Sequence, residues 1–234
     1  SRIAAEGVIG AHITPDGKAG ALVELNSETD FVAKNEDFVG FAKTLAETVV
    51  AEKPRDVSAL GSGKIEERRQ ALIQKIGENM TIRRFKHMEA KGKLALYMHG
   101  SKIGVLVDYE GPEEVGKDLG MHIAFAKPQH MSRSDVPAEV VSREREIQLA
   151  RAKESGKPAE IAAKMVEGSL NKFLGEITLL GQPFVKDDKQ TVEKMLAAKK
   201  AKIHAYAFFV VGEGLEKRAD DFAAEVMAQA GKAH

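Results

Sequence analysis

The sequence has no cysteine and no tryptophan, three tyrosines, seven prolines and no surplus of charge of either sign. Without cysteine there is no disulfide, no thiolate metal site and no cysteine nucleophile, and the cytosol is the default compartment. Lys plus Arg balances Asp plus Glu at 35 each. That balance argues against a nucleic-acid sleeve or a polybasic membrane anchor and leaves room only for local patches. No apolar run approaches the roughly 20 residues needed to span a bilayer. The opening SRIAAEG is no signal peptide and has no initiator Met, so the sequence reads as the middle of a longer chain.

What is present is ordinary globular material. The 234 residues are 43% apolar and 30% charged, enough for one large domain or two small ones with a real core. GVIGAHI, TPDG and KAGALVEL read as a hairpin turned by Pro15, Asp16 and Gly17. From residue 36, Phe38, Phe41, Leu45 and Val49 recur at helical spacing, with Asn35 as N-cap and Pro54 beyond the end. A second helix from Lys64 carries Ile65, Leu72, Ile73 and Ile76 on one face and closes at Gly77. TIRRFKHMEA reads as a strand.

The pattern then repeats. KLALYMH, a Gly100-Ser101 turn and KIGVLVDY form a second hairpin, followed by a helix ending AFAKP. The hairpins align at an offset of 84, matching Lys18 with Lys102 and Gly20 with Gly104. The helices align at an offset of 74, matching Lys53 with Lys127 and Pro54 with Pro128. The first copy therefore carries ten extra residues between strand and helix, and they fall within NSETDFVAKNEDF. From Asp135 the texture changes to two charge-rich helices, 137–153 and 159–173, joined at ESGKP into a protruding helical hairpin. A helix is expected from Gln190, and IHAYAFFVV reads as a strand buried on both faces. A last amphipathic helix carries Phe222, Val226 and Met227.

Catalytic signatures do not emerge. GSGKIEE lacks the spacing and the Lys-Ser/Thr pair of a P-loop, and GEGLEK has only two glycines of a dinucleotide fingerprint. No two of the seven histidines have the i, i+4 spacing of a helical metal pair. His122 and His204 read as satisfied core or edge residues, whereas His99 sits at a hairpin tip where a partner can meet it. Arg83, Arg84 and Lys86, with Arg68 and Arg69, suggest a modest basic patch, but without the strand aromatics on which RNA bases stack. No enzyme, metal site or cofactor is expected from these residues.

The ten-residue insertion is the remaining feature. In one reading Thr29 or Asp30 caps a short turn that folds Phe31 and Val32 back as local core. In the other, the insertion displays Asp30 and Phe31 as a probe, a charge beside a wedge. The repeat favours the probe, because the second copy makes its strand-to-helix turn with EGPEE alone.

TDFVAKNEDF after a strand closely resembles the signature of translation elongation factor Ts, the family of exchange factors for the GTPase elongation factor Tu. KIGENMTIRR, HGSKIGVLV, MHIAFAKP, SGKPAEIAAKMVEG, GQPFVKD and DFAAEV extend the resemblance over essentially the whole chain. The resemblance implies that Asp30 and Phe31 reach the nucleotide-binding domain of the GTPase. The ring would wedge between helices there and disturb the region organising Mg²⁺ and the phosphates. Thr29 and Val32 flank the pair in the same motif. Ile76, Gly77 and His99 match partner-facing positions, His99 on the side that touches a different domain of the GTPase, and the helix around Phe222 matches one that packs on the nucleotide-binding domain. The implied partner is elongation factor Tu, GDP-bound or nucleotide-free, in a bacterial cytoplasm, with the helical hairpin available for self-association. The small N-terminal helical domain usual in the family is missing from this sequence. The rival reading is an RNA- or ribosome-associated module working through the basic cluster at Arg83 and Arg84.

The expected fold is α+β: two related hairpin-plus-helix subdomains with antiparallel sheets, an inserted helical hairpin and a C-terminal helix. The expected boundaries are residues 1–90 for the first subdomain and 91–130 with 178–213 for the second. Residues 131–177 would form the hairpin and 214–234 the last helix.

Overall fold

The computed structural model describes residues 3–215 together with Met227 and Ala230. The expected last helix, with Phe222 and Val226, lies outside the described residues. Among the described residues, eight α-helices and antiparallel sheets make the fold α+β. The chain divides into two compact units, one running to Asp108 and resuming at Tyr206, the other spanning Tyr109–Ala205.

In the first unit, β1 (Glu6–Ile13) and β2 (Ala19–Ser27) pair antiparallel, with β3 (Met80–Glu89) on the other edge of β2. The TPDG turn closes as expected: the Asp16 carboxylate accepts from the Thr14 hydroxyl at 2.6 Å and the Lys18 N–H at 3.0 Å, and Gly17 takes a φ of 73°. Helix α1 (Asp30–Ala33) is a single turn, and α2 (Glu36–Glu52) follows. Phe38, Phe41, Leu45 and Val49 of α2 are completely buried on the sheet. The approach is so close that a Cβ on Gly10 of β1 would lie 2.2 Å from the Ala42 carbonyl oxygen, so only glycine fits there. Helices α3 (Val57–Leu60) and α4 (Lys64–Ile76) lead into β3. On α4, Leu72 is buried, and Ile65, Ile73 and Ile76 pack against the same core.

The second hairpin, β4 (Lys93–His99) and β5 (Ile103–Glu110), joins β8 (Lys202–Val210) in the order β4-β5-β8. The repeated glycines of the two hairpins lie where the two sheets meet. A Cβ on Gly104 would fall 2.7 Å from Ile9 Cγ2 and 3.2 Å from Leu22 Cδ2, and one on Gly20 would fall 2.9 Å from Leu94 Cδ1. The repeat is thus a packing device: each hairpin offers a flat spot to a side chain of the other. Strand β8 departs from expectation. It is half-buried along most of its length, with Ala207 alone fully buried, because it is an edge strand with only β5 beside it.

The second unit holds α5 (Glu113–Ala126), the helical pair α6 (Ala138–Glu154) and α7 (Ala159–Ile177), the ribbon β6 (Pro183–Phe184) with β7 (Asp187–Thr191), and α8 (Val192–Ala198). Helix α7 runs past residue 173 because Leu174 and Ile177 extend its apolar stripe into a small core with Val136 and Leu170. Ala152 is the one buried residue of α6, while Ile147, Leu149, Ile161 and Met165 of the pair remain exposed. Helix α8 starts two residues later than expected. Gln190 belongs to β7, and the Thr191 hydroxyl caps the helix by accepting from the Lys194 N–H at 3.2 Å. Among the described residues no helix is long and apolar enough to cross a membrane.

Candidate partner-binding site

The insertion between β2 and α2 forms α1 with a cap at each end. Thr29 is the N-cap, its hydroxyl oxygen accepting from the Val32 N–H at 3.4 Å, and Asn35 caps α2 through bonds from Asp37 and Phe38 N–H at 2.9 and 3.2 Å. One turn cannot bury both of its first two apolar side chains, and the two part company. Val32 is 9% exposed and Ala33 3%, both within the core shared with α2 and the sheet, whereas Phe31 is 88% exposed. Of the two neighbours, Val32 folds back into the core and Phe31 stays in solvent. Val32, counted with the partner-facing residues, is a core residue here, because its position in the turn points its side chain at the sheet.

The turn is tied to its neighbours by charged groups. Both oxygens of the Glu78 carboxylate accept from Thr29, from its N–H at 3.0 Å and its hydroxyl at 2.5 Å. Glu78 reaches there because α4 ends at Ile76 and Gly77 turns the chain with a φ of 83°. Ile76 is half-buried against the core, and Gly77 is exposed with open space around its missing Cβ. Asp30 pairs with Lys102 Nζ at 2.8 Å and with Lys34 Nζ at 3.4 Å. The hydrogen bond from Lys102, helped by its charge, holds the Asp30 carboxyl below its usual range. Lys102 also donates to the Gly7 carbonyl at 2.5 Å. It ends the short turn that begins after His99, the exposed last residue of β4, whose ring stacks on Tyr97 with a 3.3 Å contact from Nδ1 to the Tyr97 hydroxyl.

Thr29, Asp30 and Phe31 are thereby joined to the Ile76-Gly77 corner through Glu78 and to the His99 hairpin through Lys102. Phe222 lies outside the described residues. Sequence reasoning named neither Glu78 nor Lys102 as part of a site. The match of Lys102 with Lys18 was the available signal, since Lys18 likewise donates to a glycine carbonyl, that of Gly92 at 2.5 Å.

The basic cluster proposed from sequence is not an open patch. The buried Glu24 carboxylate accepts from Arg84 Nε at 2.6 Å and Arg83 Nη1 at 3.2 Å, from the Asn26 amide at 2.9 Å and from the Gly212 N–H at 2.9 Å. Arg84 also lies over the Phe209 ring at 4.4 Å. Arg69 is paired with Glu66, and Arg68 donates to Thr44 and covers Phe41. These arginines serve internal contacts, which sequence spacing could not show. Similarly, His122 is buried with Nε2 against Gln182 at 2.9 Å and Nδ1 accepting from the Val185 N–H at 3.2 Å, a satisfied core histidine. No cluster of three metal-ligating side chains occurs among the described residues.

Fold and site together define a class: an α+β protein of repeated hairpins that displays one aromatic ring on a braced surface turn. Comparison with known proteins narrows the class. A family profile described as Elongation factor TS matches residues 28–213. Over 235 aligned residues the chain is 58% identical to Elongation factor Ts of Bordetella petrii and of Burkholderia thailandensis, and 57% identical to that of Paraburkholderia phymatum. Each alignment covers 98% of this chain and 80% of the relative. The chain belongs to the elongation factor Ts family, and its role is that of a translation elongation factor of this type.

Proposed function

We propose that this chain is a guanine nucleotide exchange factor of the bacterial cytoplasm that binds elongation factor Tu carrying GDP and promotes release and reloading. The observation that carries the proposal is the Phe31 ring, 88% exposed on a turn held by a cap and an ion pair. An apolar ring held in water gains free energy when it enters a partner's apolar pocket. In the partner, bound Mg²⁺ offsets phosphate charge, so a wedge that loosens the Mg²⁺ site weakens a large electrostatic attraction for GDP. Ile76, Gly77, His99 and the segment around Phe222 would supply the wider docking surface.

The mechanism needs no acid or base, only higher affinity for the nucleotide-free GTPase than for the loaded one. By linkage, a factor that lowers GDP affinity by some ratio has its own affinity lowered by GDP in the same ratio. Exchange therefore runs either way, and the relative supply of GTP and GDP sets its direction. A ring entering an apolar pocket contributes roughly 1.5–3 kcal/mol, about ten- to a hundredfold in an equilibrium constant. A larger effect needs the rest of the docking surface.

The test follows release of a fluorescent GDP analogue from elongation factor Tu with no factor, with this chain, and with the chain carrying Asp30→Ala and Phe31→Ala. Acceleration by the parent and its loss in a folded double variant is the expected result. A folded double variant as fast as the parent would remove the turn from the mechanism.

A further inference from the structure

Phe31 is displayed by a helix of only four residues. One isolated turn gains few hydrogen bonds for the backbone freedom it gives up, so it does not keep its shape unaided. A wedge works only when its orientation is fixed before contact, since ordering it during binding subtracts from the interaction. The question is what fixes it.

Two side chains remote in sequence act on the N-terminal end of the turn, immediately before the ring. Glu78 holds the N-cap, taking the N–H and the hydroxyl of Thr29 on its two oxygens at 3.0 and 2.5 Å. Lys102 holds the first helical residue, at 2.8 Å from Asp30 Oδ1, and is itself anchored on the Gly7 carbonyl at 2.5 Å. The two supports come from different elements: Glu78 follows the end of α4, and Lys102 ends the β4–β5 turn. One neighbour alone would leave the turn free to pivot, whereas two oppose that movement. The pairing also occupies both Asp30 oxygens, one with Lys102 and the other with Lys34.

Resting on the exchange-factor reading above, we propose that Glu78 and Lys102 are positioning residues that set the Phe31 ring for its partner. The test measures GDP-analogue release from elongation factor Tu at saturating factor for Phe31→Ala, Glu78→Gln, Lys102→Met and Lys102→Arg, and for the first two substitutions at Glu78 and Lys102 each combined with Phe31→Ala. Glu78→Gln and Lys102→Met are expected to lower the saturating rate about five- to twentyfold, the scale of a small misplacement of a working group. Lys102→Arg, which keeps the cation, should restore most of the rate. On the Phe31→Ala background, both substitutions should change the rate less than about twofold, because the group they position is gone. Lys102 has a side chain 39% exposed, so its replacement is tolerated by the fold even where Glu78→Gln is not. Losses of equal size with and without Phe31 would assign both residues to general folding and overturn the proposal. Parent rates for Glu78→Gln and Lys102→Met beside a slow Phe31→Ala would also overturn it while leaving the exchange reading intact. Parent rates for Phe31→Ala would remove the ring from the mechanism and overturn the proposal with it, whereas no acceleration by the parent chain would overturn the exchange reading itself.

Discussion

Phe31 and Val32 are chain neighbours in opposite surroundings, 88% and 9% exposed. Truncation at each should therefore act on a different observable. Phe31→Ala removes a ring that touches mostly water, so its unfolding free energy should stay within about 0.5 kcal/mol of the parent while GDP release slows. Val32→Ala leaves a small void in the core and should cost about 1–2 kcal/mol in urea unfolding. Equal destabilisation by the two changes would mean that Phe31 is core after all. His122 offers a second residue-scale test. Burial pushes its imidazole below the ordinary value of 6.5, only partly opposed by Gln182. Below about pH 6.5 the unfolded chain takes up a proton at this residue that the folded chain refuses. Its contribution is thus full above that pH and lost as pH falls toward the folded value. Between pH 7.5 and 5.5 the parent's urea midpoint should drop more than that of His122→Gln.

At the scale of elements, much of the structure was legible because helix ends and turns are written locally. Asn35 caps α2, Gly77 closes α4, and the TPDG turn has its Asp16 bonds, all through contacts within a few residues. The repeat was legible for the same reason. It extends to backbone conformation: Lys53 and Lys127, matched by the 74-residue offset, end α2 and α5 in the left-handed region at φ 48° and 45°, each before a proline. Proline stops the helix, and the preceding lysine bears an unfavourable conformation for a side chain with a Cβ. Lys127→Gly should therefore raise stability by about 0.5–1 kcal/mol in thermal or urea unfolding, since Lys127 needs only its backbone for the cap. A loss of stability would show that its side chain matters more than its φ. What stayed illegible depends on distant partners. The burial of β8 depended on which strand it met, and the Phe31 turn depends on Glu78 and Lys102, 49 residues from Thr29 in one case.

The whole first unit is crossed by one buried charge. Glu24, fully buried on β2, draws in Arg83 and Arg84 from β3, 59 and 60 residues away, and the Gly212 N–H, 188 residues away. Sequence proximity made the two arginines look like a surface patch, while their partner was too remote to find by spacing. Arg84 further donates to the Val210 carbonyl at 3.0 Å, so the network ties the end of β8 to the first sheet. Burial alone would raise the Glu24 pKa, but the Gly212 N–H, the Asn26 amide and Arg84 together outweigh it and the net shift is downward. The folded chain therefore keeps Glu24 ionised at a pH where the unfolded chain protonates it. This stability is fully present above the unfolded value of about 4.5 and disappears as pH falls through the lower folded value. Glu24→Gln leaves two guanidinium groups facing a neutral amide, which should cost about 3–5 kcal/mol at pH 7. The informative quantity is the difference between parent and variant, because other carboxylates titrate in both. That difference should be constant from pH 7 to 5 and shrink below about 4.5. A gap that persisted unchanged to pH 3 would mean that shape, not charge, is what Glu24 contributes to joining the sheet and the end of β8.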